Sequence, residues 1–139
     1  MPAHAQKLMV ELEDGKKVAL QQADIETLPH VKVTVASSTY EGVDLRTLLE
    51  KAGVEFGETL RGKRLASCLV VEAEDGYRVV FALPELDPAF IDKQITLVFL
   101  KDGKLLDDKE GPYRIIIPNE KRMARWVRQV KVLKVVTIQ

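Results

Sequence analysis

Arg114 stands between Pro112 and three consecutive isoleucines, Ile115, Ile116 and Ile117, so its guanidinium enters an apolar strand. A buried guanidinium needs an anion to offset its lost hydration. A carboxylate of the chain, with Asp75 and Glu110 as candidates, would serve as a structural ion pair, and a phosphate or similar group would serve as a ligand. A second cationic group follows in Lys121, Arg122, Arg125, Arg128, Lys131 and Lys134, with only Glu120 opposing it. The planar fork of arginine suits phosphate, although a solvated face would read the same way. Trp126, between these arginines, is either a core residue or a ring on which a ligand stacks. Tyr77, directly after Asp75-Gly76, either covers the apolar face of a hairpin or turns its hydroxyl into a cleft.

Other chemistries lack their residues. One cysteine, Cys68, among 139 residues excludes an intramolecular disulfide and any multi-cysteine zinc or iron–sulfur site. In Leu65-Ala66-Ser67-Cys68-Leu69-Val70-Val71 it reads as a small buried apolar residue. His4 and His30 are the only histidines, neither at ligand spacing from a cysteine or carboxylate, so no tightly bound transition metal is expected. Glycine-rich phosphate loops, paired catalytic carboxylates and Ser/His/Asp sets are absent. Asp107-Asp108-Lys109-Glu110 lacks the alternating ligands of a calcium loop and reads as a solvated turn. With 21 basic and 21 acidic side chains the net charge is zero, which points to neither nucleic acid nor a membrane surface as partner. No apolar run reaches the roughly 18 to 20 residues of a spanning helix, so no membrane insertion is expected.

The elements that would position these residues are short. Three Asp-Gly pairs, Asp14-Gly15, Asp75-Gly76 and Asp102-Gly103, each lie between apolar runs and predict tight hairpins. The first joins Leu8, Val10 and Leu12 to Val18 and Leu20 as a half-exposed pair. The second joins Leu69–Ala73 to Tyr77–Leu83, and the third joins Ile95–Leu100 to Leu105-Leu106, both apolar enough to be central. A two-turn helix is predicted from Gln22 to Leu28, stopped by Pro29. Another runs from Asp44 to Ala52, with Leu45, Leu48, Leu49 and Ala52 on one face and Gly53 as its C-terminal cap. A short turn starts at Pro84-Glu85-Leu86. From Ala124 to Ile138 alternation breaks at Val132-Leu133, which predicts a bulged strand. The pattern is that of an α+β domain over residues 6–139, a mainly antiparallel curled sheet with short helices.

Three pieces in order carry a family resemblance. Gly42-Val43-Asp44-Leu45-Arg46, Gly111-Pro112-Tyr113-Arg114 and Arg125-Trp126 resemble, respectively, the G-V-P-L-R, G-x-P-x-R and K-W segments of the sulfite oxidase molybdopterin-binding domain. The resemblance covers Tyr40 to Val132, and the N-terminal hairpin with its short helix fits small stand-alone members. It implies a sulfite oxidase-like fold and molybdopterin as the cofactor. It sets Tyr77 where catalytic relatives carry a tyrosine near the metal, and the Arg125–Arg128 neighbourhood where relatives hold the pterin phosphate. Catalytic members also bind molybdenum through a cysteine in a C-x-G-N segment ahead of the aromatic-Gly-Val helix start. Here that stretch reads Val31-Lys32-Val33-Thr34-Val35-Ala36-Ser37-Ser38-Thr39-Tyr40, without cysteine and too short for that loop. A serine oxygen replaces a soft thiolate poorly at such a metal.

The resulting expectation is a non-catalytic domain of this fold that binds an anionic small molecule or a protein partner, with Tyr77, Arg114, Arg125, Trp126 and Arg128 as ligand-binding candidates. Two alternatives stand beside it: an active molybdopterin-dependent oxidoreductase, and an accessory module that binds another protein through the basic stretch or an open strand edge. Ala3-His4-Ala5, before Gln6, reads either as the remnant of an export-signal cleavage site, which makes residues 1–5 a disordered remnant and the protein periplasmic or otherwise exported, or as a short frayed terminus, which leaves it cytoplasmic.

Overall fold

The computed structural model describes residues 7–138; the proposed N-terminal remnant lies outside them. Among the described residues ten strands form two open five-stranded sheets. The first has the order β2-β1-β10-β5-β6, built from β1 (Lys7–Glu11), β2 (Lys17–Gln21), β5 (Ser67–Ala73), β6 (Arg78–Ala82) and β10 (Val130–Thr137). In the second, β3 (His30–Val35), β4 (Ser38–Asp44), β7 (Thr96–Lys101) and β8 (Lys104–Leu105) lie in that order, and β9 (Arg114–Ile116) also pairs with β7. Every pairing is antiparallel except β1 with β10. The antiparallel α+β expectation therefore holds, with the single curled sheet resolved into two.

All three Asp-Gly hairpins form, joining β1 to β2, β5 to β6 and β7 to β8. At the third, Asp102 and Gly103 both take positive φ, 51° and 83°, which Asp-Gly tolerates at low cost. Their positions in the sheets differ from expectation in part: β5 and β7 are central, whereas β6 and β8 are edges. Strand β7 buries Thr96, Leu97, Val98 and Phe99 on both faces, as a near-continuous apolar run should. A fourth hairpin, β3 to β4, turns at Ala36-Ser37 with Ala36 at φ 56°. Serine, a weaker turn former, stands there in place of glycine or asparagine, so the pattern marked that turn only faintly.

Helix α1 (Gln22–Glu26) is shorter than predicted, and α2 (Leu45–Ala52) matches its prediction. Asp44 caps α2 by accepting from the Thr47 amide at 3.3 Å, and Gly53 ends it in the left-handed region. Gly42 is required for another reason. It sits at a bulge in β4, where an added Cβ would lie 1.9 Å from the Leu97 carbonyl oxygen of β7. One hydrophobic cluster draws on both sheets and α2, with Tyr113, Phe81 and Phe99 its largest fully buried side chains. The β10 bulge is present, shifted to between Val130 and Val132.

Cys68 corrects a core expectation. Along β5, Ser67, Leu69, Val71 and Ala73 are buried while Cys68, Val70 and Glu72 are half-buried, so the thiol lies on the outer face of the first sheet. The run Leu69-Val70-Val71 is apolar on both faces and gives no phase from which to assign the cysteine.

Candidate functional site

A cavity of about 460 Å³ opens where the β5–β6 hairpin, the start of β9 and the segment before β10 meet. Asp75, Tyr77, Arg114, Met123, Trp126 and Arg128 are among its lining residues. A second cavity of about 390 Å³, lined by Ala36, Tyr40, Lys101 and Glu110, shares Lys109, Arg114, Met123 and Arg128 with the first. Together they make one cleft with Arg114 between its two halves.

Backbone bonds fix this geometry. Ile115 N donates to Val127 O at 2.9 Å, Val130 N to Tyr113 O at 2.9 Å and Gln129 N to Glu110 O at 2.9 Å, laying the Val127–Val130 segment along Glu110–Ile115. Glu74 N donates to Gln129 O at 3.0 Å and ties in the second hairpin. Across the cleft, the Tyr77 hydroxyl donates to Ala124 O at 2.6 Å. Its half-exposed ring lines the cavity while its hydroxyl holds the opposite segment, so the cleft and hairpin readings of Tyr77 describe two ends of one side chain.

Arg114 is 6% exposed and lies near the Tyr40 and Trp126 rings, its Cζ 5.9 Å from each ring centroid. Of the two carboxylates proposed as its partner, Glu110 is the one found: Arg114 Nη1 donates to Glu110 Oε1 at 2.5 Å and to the Tyr40 hydroxyl at 3.3 Å. Tyr40 donates to the same Oε1 at 2.8 Å, and Lys101 Nζ reaches Oε2 at 3.4 Å. Burial pushes the Glu110 carboxyl up in pKa, but hydrogen bonds from Tyr40 and Arg114 and the charges of Arg114 and Lys101 outweigh it and hold it below its ordinary value. Glu110 is thus no part of a solvated turn; it is 8% exposed, while the Asp107 carboxylate accepts the Lys109 and Glu110 amides and forms the turn proper. The warning in sequence was the position of Glu110 directly before the Gly-Pro that leads into a buried arginine. Lys101 and Lys109 carried no comparable mark.

Two buried donors beside the cleft have no partner: Arg114 Nε and Trp126 Nε1. Such groups cost free energy until an acceptor reaches them. Arg128 is exposed and lines both cavities, so it and Lys109 supply the accessible cations. The remaining basic side chains diverge: Lys134 borders a depression on the outer face of the first sheet, and Lys121 and Arg122 are exposed without lining either cavity.

Arg125 lines neither cavity. Its Nη2 donates to Glu120 Oε1 at 2.5 Å and Glu85 Oε1 at 3.1 Å, its Nη1 to Val80 O at 2.9 Å, and its Cζ stands 4.3 Å from the Phe81 ring centroid. Lys93 joins both carboxylates, at 3.2 Å and 3.6 Å. The structure therefore gathers Tyr77, Arg114, Trp126 and Arg128 at the cleft and sets Arg125 in a separate ionic network.

The stretch Val31–Tyr40 is the tight β3–β4 hairpin, whose turn at Ala36 borders the second cavity. Among the described residues no cysteine lines either cavity, and the one sulfur that does is the Met123 thioether. Cys68 is on the outer sheet face, five residues from cavity-lining Ala73, which is about 17 Å along a strand.

Residues 16–137 match the family profile described as oxidoreductase molybdopterin binding domain. The chain belongs to that family. No curated protein matches it. Among solved structures it is similar to the sulfane dehydrogenase SoxCD from Paracoccus pantotrophus, with a TM-score of 0.72 at 17% identity over 98% of this chain and 39% of that one. The chain thus spans about two fifths of that relative's length, and at this identity the likeness is one of fold.

Molybdopterin, the group the family implies, can be tested against these side chains. Its anionic and polar parts suit the two unpartnered donors and the cations Arg128 and Lys109. A metal bound through protein sulfur does not suit them, since no thiol lines the cleft.

Proposed function

We propose that this domain holds an anionic ligand in the cleft of Tyr77, Arg114, Trp126 and Arg128 and contributes no thiolate to a metal there. The observation that carries this reading is the donor set: two buried N–H groups without acceptors, beside exposed cations, and no sulfur ligand from the adjoining hairpin. If molybdopterin is the ligand, its dithiolene is the sulfur source for any metal. The chain's own residues then bind and orient. Arg128 and Lys109 attract the anion, the Trp126 and Arg114 N–H groups take an acceptor, and Tyr77 keeps the Ala124 side of the cleft in place.

The test is to purify the protein from cells that make the cofactor, then measure molybdenum and the fluorescent oxidation product of the pterin. The expected result is pterin or another anion that is retained less well with Arg128→Ala, and any metal independent of Cys68. Stoichiometric molybdenum that disappears in Cys68→Ala would overturn the reading in favour of an oxidoreductase ligated by that thiol.

A further inference from the structure

We infer that Glu110 is a built-in competitor for the cleft's anion: its carboxylate occupies Arg114, and a ligand gains the full charge of that arginine only by displacing it. The inference rests on the anion-binding reading and specifies how that site is regulated.

The geometry supplies the argument. Glu110 accepts from Arg114 Nη1 and Tyr40 through one oxygen and from Lys101 through the other, so both oxygens are engaged. Among the described residues Arg114 uses only Nη1 in hydrogen bonds, and its Nε stays buried without an acceptor. A guanidinium can serve a bidentate anion through two nitrogens at once. Here one nitrogen is taken by an internal carboxylate and another is left over. That carboxylate lines the second cavity, and Arg114 lines both, so the competing group stands where the two spaces meet.

The charges facing Glu110 come from every side. Tyr40 approaches from β4, Lys101 from β7 and Arg114 from β9, while Asp107 and Lys109 belong to its own turn and Arg128 shares the cavity. The carboxylate is fastened by Arg114, the buried cation an incoming anion would use, and by Lys101. Ligand binding therefore exchanges one ion pair for another, which limits affinity for weak monoanions and favours ligands with several acceptor oxygens.

The probe is inorganic phosphate, titrated calorimetrically into the full chain. Glu110→Gln keeps the size and an acceptor oxygen but removes the competing charge; it is expected to bind phosphate at least roughly tenfold more tightly than the parent, and the gain should vanish in Glu110→Gln with Arg114→Met. Tyr40→Phe removes one donor that holds the carboxylate and is expected to tighten binding by a smaller factor, so the competitor can still be tested if Glu110→Gln does not fold. Unchanged or weaker binding in both variants overturns the inference, whether or not the parent binds. Binding by the variants but not the parent supports the competitor and overturns the proposed function of the parent chain. Binding by the parent with no gain in the variants leaves that function standing and removes the competitor.

Discussion

Arg114 and Arg125 are the same side chain in two different hydrogen-bonding environments. Arg125 is satisfied on every side, by two carboxylates, a strand-edge carbonyl and an aromatic face. Arg114 is more deeply buried, holds one carboxylate and leaves Nε without an acceptor beside a cavity. Cationic charge alone does not make a ligand site. What counts is whether donors remain unpaired next to space that a ligand can enter. By that criterion Arg125 is a fastener, joining the edge of β6 to the turns that carry Glu85 and Glu120, and Arg114 belongs to the cleft.

The sharpest way to break this contrast is to remove each arginine. Arg114→Met leaves Glu110 buried and facing only Tyr40 and Lys101, so it should destabilise the fold by about 3–5 kcal/mol, measured by denaturant unfolding. Adding Glu110→Gln should restore part of that loss. Arg125→Met should cost less, about 1–2 kcal/mol, because its network is half-exposed and its carboxylates keep Lys93 and water. Phosphate affinity should be unaffected. Equal losses of stability, or a loss of phosphate binding with Arg125→Met, would erase the distinction.

Arg128 sharpens the comparison from the other side. As an exposed residue it should be removable as Arg128→Ala at a cost within about 0.5 kcal/mol of stability. Phosphate binding should nevertheless weaken roughly fivefold, of order 1 kcal/mol. A variant that binds as tightly as the parent would show that Arg128 lines the cleft without serving it.

The smallest effect concerns a pair distant in role from both arginines. His30 Nδ1 lies 2.6 Å from Glu41 Oε2, its Nε2 meets the Glu26 carbonyl oxygen at 2.8 Å, and the Glu41 hydrogen bond leads in raising its pKa. A histidine whose folded pKa is raised contributes fully below its unfolded value, near 6.5, and loses that contribution as pH rises through the folded value. The stability difference between the parent and His30→Gln should therefore shrink on going from about pH 6 to pH 9. A difference that is constant or grows with pH would contradict the assignment.

Local signals explain what could be read from sequence. Asp-Gly turns, the Leu45–Ala52 face and the Asp44 and Gly53 caps are set by near neighbours, and the structure has them all. Arg114 announced the need for an anion because an arginine among isoleucines must be compensated. Which arginine keeps a free donor depends on carboxylates far along the chain, such as Glu85 for Arg125, and no spacing rule reaches them. The Ala36-Ser37 turn has serine, a weaker turn former, and no glycine, proline, asparagine or aspartate, and Cys68 lay in a run apolar on both faces, so neither the hairpin nor the thiol orientation stood out.

The most direct test of the cleft is a phosphate titration followed by amide and side-chain NMR of the intact chain. The account predicts saturable shifts at Tyr77, Arg114, Trp126 Nε1 and Arg128, with Arg125 and its partners unmoved. Shifts centred on Arg125, Glu85 and Glu120, or on Arg78 and Lys134 of the outer sheet face, would contradict it.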